Sequence, residues 1–446
     1  MRVVFGEIDV RYARSGDARI AYAVRGAGSH ELVYVPAWFS NQDLEADETV
    51  FSPLLSFSRF VSYDERGSGL SDPVTVDALP TLEAWADDLH AVIGAAGVDK
   101  AVLLSEGIGG PVAALYAATH PERTRALILV NSYAALAWSP DCEWGVTPEV
   151  FEQFVEHAEQ VWGTGEVLRS AMPDVAVDDA QLRKFARRER QSMAPAMVGA
   201  IFRQQYAIDV RAILPAINVP TLVMHSIGDR LISVAHGRYL AEHIPNARLV
   251  ELPGADNSIW AGSVALPIVF DEIEEFVTGV AGAANRDRML TTLLFSDVVG
   301  STERAATMGD RAWRSMLDRH DDTIRHQLER FSGIAHKLTG DGFLATFDGP
   351  ARAIRCGCAI RDAARQLDLD VRVGLHTGEI ERRGSELAGI AVHLAHRVCK
   401  QATAGEVLVS RTVVDLVAGS GITFDDRGTH ELKGIPTPWH LYAVAT

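Results

Sequence analysis

Two stretches, Phe295-Ser-Asp-Val-Val-Gly-Ser-Thr302 and Lys337-Leu-Thr-Gly-Asp-Gly-Phe343, decide how the second half of this 446-residue chain is read. The first closes the apolar run Leu290–Asp297, which reads as a strand. The second turns at Gly340-Asp341-Gly342 inside Ala335–Phe347, which reads as a hairpin. Between them Arg311–Phe331 carries Trp313, Leu317, Ile324, Leu328 and Phe331 at helical spacing. A helix near Ala351–Arg365 and a strand over Val371–His376 complete a β-α-β-β-α-β order, the split ferredoxin-like unit. In that unit the third strand lies between the first two, so the hairpin tip stands beside the end of the first strand. Asp297 and Asp341 then meet at one sheet edge. Alone, Asp341 would be a turn residue and Asp297 a helix N-cap. Together two carboxylates repel unless cations lie between them, which points to a pair of Mg²⁺ or Mn²⁺ ions per site.

Working outward, the first half has another rhythm. Strands are expected at Leu32–Pro36, Phe60–Asp64, Ala101–Leu104, Ala126–Asn131, Thr221–His225 and Arg248–Leu252. They are mostly rich in β-branched residues and end in Gly, Asp or Asn turns, as in a parallel sheet covered on both faces. Between Ala134 and Ile213 the pattern becomes helical and charged, as a cap inserted over a sheet would be. Thr278–Arg288 is rich in small residues and reads as a linker. The expected division is residues 1–278, a linker at 279–288, and residues 289–446, with the cap at about 134–213.

Composition narrows the function. Apolar residues make up 47% and charged residues 23%, an ordinary globular balance. The net charge of −17 disfavours a general nucleic-acid binder, which needs a basic face; a nucleotide remains compatible when divalent metals bridge the like charges. The four cysteines, Cys142, Cys356, Cys358 and Cys399, are irregularly spaced and read as reduced thiols. Cys356 and Cys358 lie two apart on a helix and so do not share a face, which favours packing over ligation. No signal peptide is visible and no stretch approaches roughly 18 uninterrupted apolar residues, so the expectation is a soluble, cytoplasmic protein with neither membrane nor nucleic-acid partner.

Several motifs carry resemblances. Asp64-Glu-Arg-Gly-Ser-Gly-Leu-Ser-Asp72 and Ser105-Glu-Gly-Ile-Gly-Gly110 resemble the α/β-hydrolase family, the second standing where its nucleophile elbow belongs. The resemblance puts Gly107 at the nucleophile's place, Asp229 of Ser226-Ile-Gly-Asp229 at the acid's, and Asn257 of Leu252-Pro-Gly-Ala-Asp-Asn257 at the histidine's. Glycine offers no attacking atom, and asparagine cannot shuttle a proton near neutral pH. Ser105 and Ser258 stand nearby but outside the elbow position. A pocket under the cap is expected near Trp38, Gly107 and Asp229, serving either an unidentified small molecule or no ligand in a structural scaffold.

The second half resembles the class III adenylyl and guanylyl cyclases over Met289–Val444, including Arg372-Val-Gly-Leu-His-Thr-Gly378 and Gly428-Thr-His-Glu-Leu-Lys-Gly434. The whole chain resembles bacterial fusions of a hydrolase-type domain with such a cyclase. The resemblance implies an α/β-hydrolase fold followed by a ferredoxin-like α+β domain, and a homodimer that converts ATP to cyclic AMP. It implies metal ligation by Asp297, Asp341 and the Val298 carbonyl. It implies base selection by Lys337, with Glu386 where the family usually has aspartate. It further implies transition-state contacts from Arg397, with His393 where the family has asparagine, and triphosphate contact by Lys433. His376 reads as a structural strand-end histidine. Three classes stay open on this reading: a cyclase of adenylyl or guanylyl type, a nucleotide-binding pseudo-cyclase suggested by Glu386 and His393, and an active hydrolase.

Overall fold

The computed structural model describes residues 9–36, 40–45, 50–260, 262–279, 288–339, 342–383, 386–435 and 437–445. The chain divides into two compact units, Met1–Arg286 and Asp287–Thr446. Of the expected linker, residues 280–287 lie outside the described residues, while Thr278 and Gly279 end the helix Leu266–Gly279. Among the described residues no helix is long and apolar enough to cross a membrane.

The first unit is built on an eight-stranded sheet in the order β1-β2-β4-β3-β5-β6-β7-β8. Six strands match the expected positions, β8 (Arg248–Leu252) with the expected bounds and the others with shifted ends: β3 (His30–Val35), β4 (Ser58–Tyr63), β5 (Ala101–Glu106), β6 (Thr124–Val130) and β7 (Thr221–Ser226). From β4 through β8 neighbours pair in parallel. The sheet is not wholly parallel, because β1 (Arg11–Ser15) and β2 (Ala18–Arg25) add an antiparallel edge. Their sequence, RYARS and ARIAYAVR, interleaves arginines with apolar residues and hides the strand signal. β5 and the helix Gly110–Thr119 that follows are buried at every residue, which explains why β5 is an unbroken apolar run through Leu104. Four helices, Pro148–Val161, Glu166–Ser170, Asp179–Ser192 and Pro195–Tyr206, fill the interval between β6 and β7 where a cap was expected. Three of them, Pro148–Val161, Glu166–Ser170 and Pro195–Tyr206, share an apolar core around Phe151, Val155, Val167, Val198 and Phe202.

Loops at the carboxyl ends of these strands are tied by buried polar groups. Asn131, in the left-handed region at φ +44, donates to the carbonyls of Asp256 and Asn257 at 3.0 and 2.7 Å and accepts from the Ser226 amide at 2.7 Å. Glu106, the last residue of β5, accepts from the Ile259 amide at 2.7 Å. Burial pushes the Glu106 carboxyl up to about 8, against the opposing effect of that amide bond. The group is therefore largely a neutral acid at pH 7.

The second unit places β10 (Ile334–Thr339), β11 (Gly342–Phe347), β9 (Arg288–Val298), β12 (Val371–Arg383), β14 (Val407–Ser410), β16 (Trp439–Val444) and β15 (Phe424–His430) in that order, with β13 (Glu386–Ala388) hairpinned onto β12. β11 lies between β10 and β9, antiparallel to both, as the split unit requires. β12 is longer than expected, running seven residues past His376 to pair with β13. The helix expected at Arg311–Phe331 is Asp310–Arg330, preceded by a separate helix Ser301–Met308. Side chains alternate along β9. Leu294 and Val298 join the core with Ile324, Leu328, Ile354 and Cys356, and partly buried Cys358 packs at its edge. Leu293 and Phe295 face Ala391 and Ala395 of the helix Ile390–Gln401. That helix sits directly on β12: a Cβ added to Gly374 would stand 2.1 Å from the Cys399 backbone nitrogen.

Two outcomes follow from these contacts. Gly374→Ala should push the 390–401 helix off the sheet and destabilise the second unit by about 1–3 kcal/mol; calorimetric melting of the full chain checks this, and an unchanged profile would show that the approach is not tight. Glu106→Gln keeps an acceptor for the Ile259 amide but removes the titration. An acid raised in the folded state contributes stability that is complete below its ordinary value of 4.5 and is lost as pH rises through about 8. Wild-type stability should therefore fall between pH 5 and 9 by on the order of a few kcal/mol more than that of the variant. Denaturant unfolding across that range is the measurement, and parallel curves would count against a neutral Glu106.

Candidate active site

Asp297, one residue before the end of β9, lies on the face that carries Leu293 and Phe295, next to the 390–401 helix. Its register partner on β12 is Arg372, whose Nε donates to Asp297 Oδ2 at 3.0 Å and whose Nη2 donates to the same oxygen. Lys400, in the last turn of the 390–401 helix, donates from Nζ to that oxygen at 2.6 Å. Partial burial pushes the Asp297 carboxyl up, but Lys400 and then Arg372 outweigh it and hold it below the ordinary carboxylate value. A cleft of about 470 Å³ opens here, lined by Asp297, Val298, Ser301, Glu303, Arg372 and Lys400. Carboxylate oxygens and a main-chain carbonyl are hard donors, the set that suits Mg²⁺ or Mn²⁺. The adjacent guanidinium and ammonium suit phosphate oxygens.

Most of the other expected site residues have described backbone positions, none of them in the lining of this cleft. Gly342, at the start of β11, is registered opposite Asp297, so the described end of the hairpin stands beside the end of β9. Asp341 itself lies outside the described residues. Lys337 is registered opposite Leu344, which is opposite Phe295. Glu386 opens β13 opposite Arg383. His393 and Arg397 lie one turn apart on the 390–401 helix, the histidine exposed and the arginine half-buried. Lys433 is exposed in the turn that precedes Gly434. His376 is buried on the sheet, its Nδ1 2.8 Å from Ser410 Oγ and its ring edge-on to Trp439; burial pushes its imidazole down to about 3. It is a neutral structural group, as expected, but it stands in the middle of β12 and not at a strand end.

Sequence reasoning missed Arg372 and Lys400. Arg372 stands inside the Arg372–Gly378 motif, so strand register could have found it. Lys400 has no comparable signal, being 103 residues from the carboxylate it meets.

In the first unit, Gly107 occupies the sharp turn between β5 and the 110–119 helix with φ +54, a left-handed backbone that suits glycine. Asn257 Nδ2 donates to Asp229 Oδ2 at 2.7 Å, and Asp229 Oδ1 accepts from the amides of Leu231 and Ile232. The acid and histidine positions are thus adjacent, as their motifs imply, but the pair is an amide on a carboxylate. Burial pushes Asp229 up to about 6 against those three bonds. Ser105 is fully buried and donates to the Val35 carbonyl at 3.3 Å, so it is a packing residue of β5. His225 stands 3.8 Å from Asp229, but its Nε2 is 2.8 Å from the Ile232 carbonyl, and burial pushes it down to about 4. An apolar cavity lies beside the elbow, lined by Ile108, Leu231 and Ile232 together with cap residues. Trp38, expected nearby, lies outside the described residues.

Comparison with known proteins agrees with both halves. Residues 58–256 match the family described as serine aminopeptidase, S33, and residues 286–446 match the adenylate and guanylate cyclase catalytic domain. A Rhizobium meliloti protein named "Putative adenylate cyclase 3" is 29% identical over 164 residues, 35% of this chain, and the chain spans 28% of that relative's length. The "Putative carbamate hydrolase RutD" of Azorhizobium caulinodans is 28% identical over 273 residues, covering 59% of this chain and 96% of the relative. An esterase structure from Exiguobacterium antarcticum superposes with a TM-score of 0.52 at 20% identity, over 60% of this chain and 98% of the esterase, a likeness of fold. The chain joins an α/β-hydrolase-type domain to a class III nucleotidyl cyclase catalytic domain.

Proposed function

We propose that the chain is an adenylyl cyclase that makes 3′,5′-cyclic AMP and pyrophosphate from ATP in the cytoplasm, with the first unit serving as a non-hydrolytic sensor or scaffold. The observation that carries the reading is the meeting of Asp297, Arg372 and Lys400 in one cleft at the end of β9. A carboxylate flanked by two cations is the arrangement a metal–triphosphate needs, and it requires no side-chain nucleophile.

In this reading Asp297, the Val298 carbonyl and Asp341 would hold two divalent ions, which would supply Lewis acidity to the phosphoryl transfer. The 3′-hydroxyl loses its proton to solvent water as its oxygen attacks the α-phosphorus, the bond from that phosphorus to the bridging oxygen breaks, and pyrophosphate leaves. Arg372, Lys400 and Lys433 bind phosphate oxygens, and Lys400 exchanges its bond to Asp297 for one to the triphosphate. Arg397 offsets charge that develops at the α-phosphate, with His393 beside it on the helix. Lys337 donates to an adenine ring nitrogen while Glu386 accepts from the N6 amine.

The geometry of β9 to β11 also supports a site shared between two copies. Lys337 stands two strands across and two residues along from Asp297, about 12 Å at ordinary strand spacings. A twofold homodimer would close that gap by bringing Lys337, Glu386 and Arg397 of one protomer to Asp297 and Asp341 of the other, giving two equivalent sites.

Product formation from Mn²⁺–ATP and Mn²⁺–GTP tests the activity and the base choice. Guanine reverses the donor and acceptor pattern, and a mispaired buried polar group costs roughly 1–3 kcal/mol, so ATP should be preferred by one to two orders of magnitude. Lys337→Ala should abolish that preference. Nucleotide binding without product would leave a pseudo-cyclase, and a GTP preference would make the enzyme a guanylyl cyclase. For the shared site, Asp297→Ala and Arg397→Ala should each be nearly inactive alone. Activity should return when the two are mixed and subunits exchange, since one site per heterodimer keeps both intact halves. Exchange without recovery at any ratio would rule the shared site out.

A further inference from the structure

The N–H groups that reach Asp297 from Arg372 and Lys400 all fall on one oxygen. Arg372 donates to Oδ2 through Nε at 3.0 Å and through Nη2, and Lys400 Nζ donates to the same atom at 2.6 Å. A carboxylate offers roughly four lone-pair sites over its two oxygens, so these donors crowd Oδ2 while none of them falls on Oδ1. A divalent ion can therefore bond Oδ2 only where one of these donors withdraws.

The two cations differ in their freedom to do so. Arg372 is held on β12 in register with Asp297, and the Cys399 thiol donates to its carbonyl at 3.6 Å. Its planar guanidinium grips Oδ2 at two points. Lys400 lies in the last turn of the 390–401 helix and grips at one point, from a flexible four-carbon stem. Its side chain is 39% exposed, against 17% for Asp297. It already lines the cleft, so its ammonium can leave Oδ2 without leaving the cleft. Charge decides when it does so. The charged side chains described in the lining are Asp297, Glu303, Arg372 and Lys400, two of each sign. A divalent ion that enters alone meets an ammonium already seated on Oδ2, and like charges repel. A triphosphate brings the negative charge that draws the ammonium off, exchanging one charge-assisted bond for another.

We infer that Lys400 is an internal counter-ion that makes divalent-ion binding at Asp297 conditional on nucleotide. Without nucleotide it holds Oδ2 against the ion, and the triphosphate releases it. The inference rests on the reading of this cleft as the metal–triphosphate site and adds an order of binding to it. By linkage the coupling is reciprocal, each ligand strengthening the binding of the other by the same factor.

The test is a pair of titrations of the full chain, neither of which needs turnover. Mn²⁺ binding without nucleotide is followed by electron paramagnetic resonance of the free ion, and ATP binding in EDTA by calorimetry. Lys400→Met should bind Mn²⁺ about tenfold tighter than wild type and ATP about tenfold weaker, the scale of one charge-assisted contact. Lys400→Arg, which keeps the charge, should bind Mn²⁺ as weakly as wild type. The opposite signs separate this role from a structural one, because a loosened helix would weaken both ligands. Adding Asp297→Asn to Lys400→Met should abolish the gained Mn²⁺ affinity. Mn²⁺ affinity that is unchanged in Lys400→Met, or that falls together with ATP affinity, would overturn the inference. So would a gain that survives Asp297→Asn, or a wild-type protein that binds no ATP in EDTA, since the triphosphate then fails to draw the lysine off. Product formation from Mn²⁺–ATP checks the underlying reading. No product and no Mn²⁺ site in either protein would overturn that reading itself, whereas product from wild type with no Mn²⁺ gain in Lys400→Met overturns only the counter-ion.

Discussion

The 390–401 helix rests on β12 with no side chain between them at Gly374, where the Cys399 backbone fills the space a Cβ would need. The rest of the candidate site depends on this approach. A helix lying that low brings Lys400 to Asp297 across the sheet surface and leaves Arg397 half-buried and His393 exposed, one turn apart. The Cys399 thiol, 3.6 Å from the Arg372 carbonyl, fastens the same helix to the strand segment that supplies the guanidinium. Any residue larger than glycine at 374 would lift the helix and with it one of the two cations. Close packing here sets electrostatics, because the pairing at Asp297 depends on distances fixed by backbone contact.

The two units handle charge in opposite ways. At the end of β9 the carboxylate is partly solvated, paired with two cations and held ionised, which keeps it available to cations. At the ends of β5 and β7 the acids are buried: Glu106 and Asp229 are pushed up by desolvation, and their partners are main-chain amides and an asparagine. In a hydrolase the acid would orient a histidine that carries a proton to and from the nucleophile. Here Asn257 replaces that histidine, and Asn131, Glu106 and Ser226 tie the loops into a fixed frame. The frame of an active site is present without its chemistry, and beside it lies a cavity with an apolar wall.

Much of the fold was legible because both sheets announce themselves by period. The runs that became β3 to β8 are dense in β-branched residues with turn residues after them. The antiparallel edge β1–β2 was not legible, since arginines alternate with its apolar residues and its pairing with β4 is long-range. The length of β12 was missed for a similar reason, because its charged continuation past His376 is a strand only through pairing with β9 and β13.

The sequence by itself determined which chemistry is available: no nucleophile at Gly107, no base at Asn257, and carboxylates and cations in ordered motifs in the second half. Those are properties of side-chain identity, which folding does not change. Only the tertiary structure decided which groups meet. Arg372 reaches Asp297 because antiparallel register sets them opposite each other. Lys400 reaches it because glycine at 374 lets a helix settle onto the sheet. Ile108 and Phe202 line one cavity because the cap folds back over the elbow. Each of these pairs is distant along the chain, and only strand register and close packing bring its members together.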